Sequence, residues 1–188
     1  METLKTKYFT DRKTWRKWLE ANFDKVDDIW LEYPKKQSGK ARISYNDAVE
    51  EALCFGWIDS TVKSLNPETT IQRFCKRRAK SSFSQPNKER LMWLLKEDLV
   101  HPSIKSDMQA VVAQTFVFPE DLLAKIKTDK LAWVNYQNFS ESYKRIRIAY
   151  IESARKRPDE FEKRLQNFIA KTRENKLVRG FGGIEKYY

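Results

Sequence analysis

Glycine occurs five times in this chain, at Gly39, Gly56, Gly180, Gly182 and Gly183, so only two glycines precede residue 180. Tight hairpins and barrel corners draw on glycine for backbone conformations with positive φ. Such scarcity argues against a turn-rich sandwich or barrel and for a largely helical chain. Aromatic residues make up 13% of the sequence beside 34% charged residues, and disordered chains are poor in aromatics. A folded chain of 188 residues is long enough for one generous domain or two small ones sharing a core.

The hydrophobic pattern places the elements. Asp11 or Thr10 can cap a first helix whose apolar face is Trp15, Trp18, Leu19 and Phe23. Ile29, Leu31 and Tyr33 alternate with Trp30 and Glu32, a strand pattern. Ser44 with Asp47 opens a helix carrying Tyr45, Ala48, Val49, Ala52 and Leu53, and Gly56 is placed to end it. Ile58–Leu65 and Thr70–Lys76 read as strands joined by the turn Asn66-Pro67-Glu68. Ser84 caps a helix through Leu91, Leu94, Leu95 and Leu99, and 102–115 reads as another. From Pro119 onward four helices are expected, the third capped by Ser140 and facing inward with Tyr143, Ile146, Tyr150 and Ala154. The last begins at Pro158 and turns Phe161, Leu165, Phe168 and Ile169 to one side. The fold class is therefore α+β, a small antiparallel sheet with helices in the N-terminal part packed against an all-helical C-terminal part. The expected boundaries are an α+β domain over 1–115, a helical domain over 116–176 and a flexible tail over 177–188, with Phe116 and Phe118 packing the two parts together.

The formal net charge is +11, which attracts anions and polyanions. The sharpest basic cluster, residues 73–90, carries seven Lys and Arg against the single acid Glu89. The lone histidine, His101, stands at a helix start, and two separated cysteines, Cys54 and Cys75, read as free buried thiols. One His and two distant Cys make no zinc site, and neither a glycine-rich phosphate loop nor a nucleophile elbow is present. No cofactor or metal is expected. With no apolar leader and no stretch long enough to span a bilayer, the chain reads as cytoplasmic.

The candidate site lies between Glu50 and Arg90. Trp57 and Asp59, two residues apart at the start of a strand, point to the same side. Arg73, mid-strand with Ile71 and Cys75 on its face, needs an anionic partner if partly desolvated, and Asp59 is the expected one. Arg77, Arg78, Phe83, Ser84 and Asn87 follow, ending at a helix N-terminus, and arginines with hydroxyls at such a point can cradle an anion. The bland counterpart is a core Trp57, a structural Asp59–Arg73 pair and a capping Ser84.

This segment resembles the YdeI/OmpD-associated, or bacteriocin-protection, family. The likeness rests on the run from Ala48 to Asp59, AVEEALCFGWID, on Arg73-Phe74 with Arg77-Arg78, on Ser81, Ser84 and Asn87, and on Trp30-Leu31 with Lys35-Lys36. It extends to Tyr143, Arg145, Ala154, Lys156, Arg157 and Pro158. The pattern is departed from at Ser60, at Cys75-Lys76 and at Phe83. The resemblance implies a stress-tolerance role without an established reaction, and a chain of charge +11 is a poor direct sponge for cationic peptides. Three functions follow in order: a non-enzymatic protein binding an anionic small molecule or a protein partner, a nucleic-acid binder using its basic helices, and an enzyme using Asp59 as acid and base.

Overall fold

The computed structural model describes residues 4–78, 81–180 and 185–188. In chain order the elements are β1 (Thr6–Tyr8), α1 (Arg12–Asn22), β2 (Asp28–Pro34), α2 (Tyr45–Cys54), β3 (Trp57–Asn66), β4 (Thr69–Lys76), α3 (Gln85–Lys96), α4 (Pro102–Val112), α5 (Glu120–Lys127), α6 (Lys130–Asn138), α7 (Glu141–Glu152) and α8 (Pro158–Arg173). Three of the helices open on side-chain caps read from the sequence: Asp11 accepts from the Thr14 amide, Ser44 from Asp47 and Ser140 from Tyr143. The fold is α+β, as expected.

The sheet has the order β1-β2-β4-β3. Its three long strands are antiparallel, and the turn after Asn66 is fixed by the Asn66 side chain, which accepts the Glu68 amide at 2.9 Å. β1, which the sequence did not announce, adds to β2 in parallel at the edge. Three residues carry too little alternation to signal a strand, and their pairing is supplied by a partner more than twenty positions away.

Two compact units divide the chain. The first comprises residues 1–83 and 91–111, the second residues 84–90 and 112–188, so the division passes through α3. In the first, Trp15, Trp57 and Phe74 are fully buried between the sheet and α1. Trp15 stacks on Trp18 at 5.2 Å, and Trp18 meets the edge of Trp57 at 5.9 Å. Both buried indole N–H groups are satisfied, Trp15 by the Ala48 carbonyl and Trp57 by that of Phe23, each at 3.1 Å. Across α1 and α2, Arg12 and Arg16 meet the buried carboxylates of Glu50 and Glu51. Gly56 follows α2 with φ +72°, a left-handed conformation that glycine alone adopts freely.

In the second unit Leu122, Ile126, Tyr143, Ile148, Ile151, Leu165 and Phe168 form the core, with Phe116 and Phe118 packed against it. Val178 donates its amide to the Tyr143 hydroxyl at 2.9 Å, and the Tyr188 ring meets the edge of Tyr143 at 4.9 Å. Those residues fall in the stretch expected as a tail.

Candidate functional site

The strand register decides where the sequence-predicted residues go. Trp30 lies opposite Arg73 and Asp28 opposite Cys75, so Asp28 and Arg73 share one face of the sheet. Asp59 lies opposite Phe74 and so belongs to the other face. The expected Asp59–Arg73 pair is therefore not formed. Arg73 instead binds Asp28, with Nε 2.8 Å from Oδ2, and that carboxylate raises the guanidinium pKa further above its ordinary value. Asp59 Oδ2 accepts from the Tyr45 hydroxyl at 3.0 Å and from Gln72 Nε2 at 2.9 Å.

Most of the remaining predicted residues are held by other partners. Trp57 shares the side of Asp59, as expected, but lies fully inside the core. Arg77 stacks on Phe83, its guanidinium carbon 3.6 Å from the ring centroid, and donates to the carbonyls of Ser81 at 3.1 Å and Ser82 at 2.8 Å. Partial burial lowers its pKa, and its donors hold its own loop. Arg78 is exposed. Ser84 precedes α3 and Asn87 accepts from Arg90 at 3.0 Å; both belong to the second unit. Cys54 is inert as a nucleophile, because burial pushes its thiol up to about 12. Among the described residues no group of three or more His, Cys, Asp and Glu side chains is placed to hold a metal ion, and no described helix is long and apolar enough to cross a membrane.

A basic cleft in the second unit went unread in the sequence. It measures about 340 Å³ and is lined by Arg147 and Tyr150 of α7, Glu160, Lys163, Arg164 and Asn167 of α8, and Val178 with Arg179. Four cations thus face one carboxylate. Glu160 is taken by Arg164 at 2.7 Å, and this guanidinium lowers its pKa. Arg164 is itself fixed, 3.9 Å above the Tyr150 ring and donating to the Tyr150 carbonyl at 2.7 Å. Lys163 and Arg179 are exposed at the rim.

Arg147 is the unusual member. It is 2% exposed, and among the described residues it donates to neutral acceptors, the Gly180 carbonyl at 3.0 Å and the Tyr188 hydroxyl at 2.7 Å. Its Nε has no hydrogen-bond partner among the described residues. A guanidinium cannot shed its proton to escape burial. Among the described residues it meets no carboxylate. A wider trough of about 740 Å³ between α5, α6 and α8 lacks such a group. Its acids are already paired, Glu162 with Lys125 at 3.2 Å and Asp129 with Arg173 at 3.6 Å.

Fold and cleft together define an α+β protein of two compact units, the helical one carrying a cationic pocket. The chain belongs to the family described as a domain of unknown function (DUF8412), which matches residues 7–106, and its residues 115–175 match the Bacteriocin-protection, YdeI or OmpD-Associated family. The second family is the one that the sequence resembles. Its match falls on the helical part that includes Tyr143, Arg145 and Ala154–Pro158, whereas the Ala48–Asp59 run lies inside the first. No curated protein and no solved structure matches the chain.

Proposed function

We propose that this is a non-enzymatic stress-tolerance protein of the bacteriocin-protection type, which holds a small anionic ligand in the cleft between α7 and α8. The observation that carries the reading is Arg147, a buried cation with neutral partners at the head of a pocket where cations outnumber acids. Burying an unpaired charge costs several kcal/mol. A carboxylate or phosphate in the cleft beside Arg147 offsets that cost, and Lys163, Arg179 and Asn167 can hold its oxygens. The cleft residues from Arg147 to Asn167 all fall within the stretch matching the bacteriocin-protection family.

The test is a thermal-shift and calorimetric screen at low ionic strength with inorganic phosphate, citrate, succinate and nucleotides. An anion at a hundredfold excess over its Kd stabilises by about 2.7 kcal/mol, or roughly 5–10 °C for a chain of this size. Lys163→Gln and Arg179→Gln at the exposed rim should weaken binding without harming the fold. Arg147→Met should abolish it while leaving stability equal or higher, because an apolar side chain replaces an unpaired charge. Binding that survives all three substitutions, or no stabilisation by any of these anions, refutes the assignment.

A further inference from the structure

The geometry points to a second ligand site, in the first unit, that takes an amino-acid-like zwitterion between Arg42 and Asp59. It does not depend on the cleft between α7 and α8. Tyr33 on β2, Thr70 and Gln72 on β4 and Val62 on β3 share one sheet face, the last brought into phase by the bulge between Asp59 and Val62. The segment before α2, tied down by the Ile43 amide on the Phe9 carbonyl at 3.0 Å, supplies Arg42 and Ile43, and Tyr45 comes from the first turn of α2. Together they enclose about 470 Å³, within the range of small-ligand pockets.

Two polar groups of interest line this cleft, Tyr33 and Arg42, and a third, Asp59, stands next to it, bonded to its lining. Tyr33 is 7% exposed and its hydroxyl has no hydrogen-bond partner among the described residues, a deficit that a bound ligand would remove. Asp59 is positioned by two lining residues, Tyr45 and Gln72, both through Oδ2. A carboxylate has room for about four hydrogen bonds, so acceptor capacity remains for an ammonium. Arg42 is exposed, stands 5.7 Å over the Tyr33 ring and makes no ion pair among the described residues.

Opposite charges, one lining the cleft and one bonded to its lining, discriminate. A simple amine gains Asp59 but meets Arg42, and a simple acid gains Arg42 but meets Asp59. A molecule carrying both ammonium and carboxylate satisfies the two at once. Val62, Ile43 and the tyrosine rings favour an apolar or aromatic side chain on it.

The experiment is calorimetric titration of the full chain with each of the L-amino acids at low ionic strength. The strongest binder is then compared with its decarboxylated amine and its deaminated acid. The zwitterion is expected to bind at least tenfold more tightly than either. Arg42→Gln and Asp59→Asn should each weaken it at least tenfold, and Tyr33→Phe severalfold, whereas Lys163→Gln, in the other cleft, should leave it unchanged. The inference is overturned if no amino acid binds, if the amine or acid binds as well as the zwitterion, or if Arg42→Gln, at an exposed position outside the core, leaves the affinity intact.

Discussion

Glu51→Gln isolates what holds α1 on α2. Glu51 is 2% exposed, accepts from Arg16 Nη1 at 2.7 Å through Oε2 and from Arg12 Nε through Oε1. Glu50 holds Arg12 Nη1 at 2.8 Å, so two guanidiniums on one helix face two buried carboxylates on the next. Glutamine keeps one acceptor oxygen but turns an amide N–H₂ toward guanidinium donors, and Arg16 is left with the half-exposed Glu20 as its carboxylate partner. Hydrogen bonds to charged groups are worth about 1.5–3 kcal/mol each, so losing two sets an upper range of about 3–6 kcal/mol. Both guanidiniums retain 29% side-chain exposure, so water recovers part of this. The expected loss is about 2–4 kcal/mol.

Urea unfolding measures that loss, followed by near-ultraviolet circular dichroism, to which the stacked Trp15–Trp18 pair contributes. Glu20→Gln is the internal control: that carboxylate is 52% exposed at 3.3 Å from Arg16, and its removal should cost under about 1 kcal/mol. Adding Arg16→Gln to Glu51→Gln removes the guanidinium that has already lost its buried partner and should cost less than the two single changes summed. Equal effects of Glu51→Gln and Glu20→Gln would refute the claim that burial makes this cluster matter.

Three other outcomes follow from single residues. Gly56→Ala should destabilise by about 1–2 kcal/mol in the same assay, because φ +72° strains any L side chain although space exists beside Ile104; no change would mean that the turn relaxes freely. At pH 8 a thiol reagent should modify half-buried Cys75 in the native protein and Cys54 only on unfolding, and two fast native thiols would contradict the burial of Cys54. Burial, with Tyr45 and Asp59 next, holds the Tyr33 phenol above its ordinary value near 10, while Arg42 pulls the other way. The folded state then keeps a proton that the unfolded state releases, so this contribution is intact below pH 10 and lost as pH rises above it. Tyr33→Phe should flatten the fall in stability above pH 10; an unchanged slope would refute it. Tyr136, also raised by burial, leaves a residual slope.

Local chemistry was legible in the sequence. The caps at Asp11, Ser44 and Ser140, the Asn66 turn and the glycine after α2 each act through neighbours a few positions away. What depends on register was not. Asp59 and Arg73 lie on adjacent strands, and pattern alone does not say which face each takes. A bulge in β3 shifts the phase partway along, so Asp59 and Val62 share a face despite odd spacing. β1 exists only through its pairing with β2. Arg77 looked available because its real acceptors, two backbone carbonyls of its own loop, leave no trace in side-chain types.

The basic cleft did leave a signal. Position 147 is four residues after Tyr143 and seven before Ala154, on the stripe that α7 turns inward, and an arginine on an apolar stripe stands out. A helix that buries Tyr143, Ile146, Ile148 and Ile151 gains nothing in stability from a guanidinium among them, since an apolar side chain of similar volume would pack there without a desolvation penalty. Tyr33 poses the same problem in the first unit, where a phenylalanine would fill the space without an unmatched hydroxyl. Each unit therefore retains, at the edge of its own cleft, a polar group that packing alone does not explain. The two differ in what would relieve them. Around Arg147 the neighbouring charges are overwhelmingly positive, which calls for an anion; around Tyr33 a cation and a carboxylate stand together, which calls for a ligand carrying both signs.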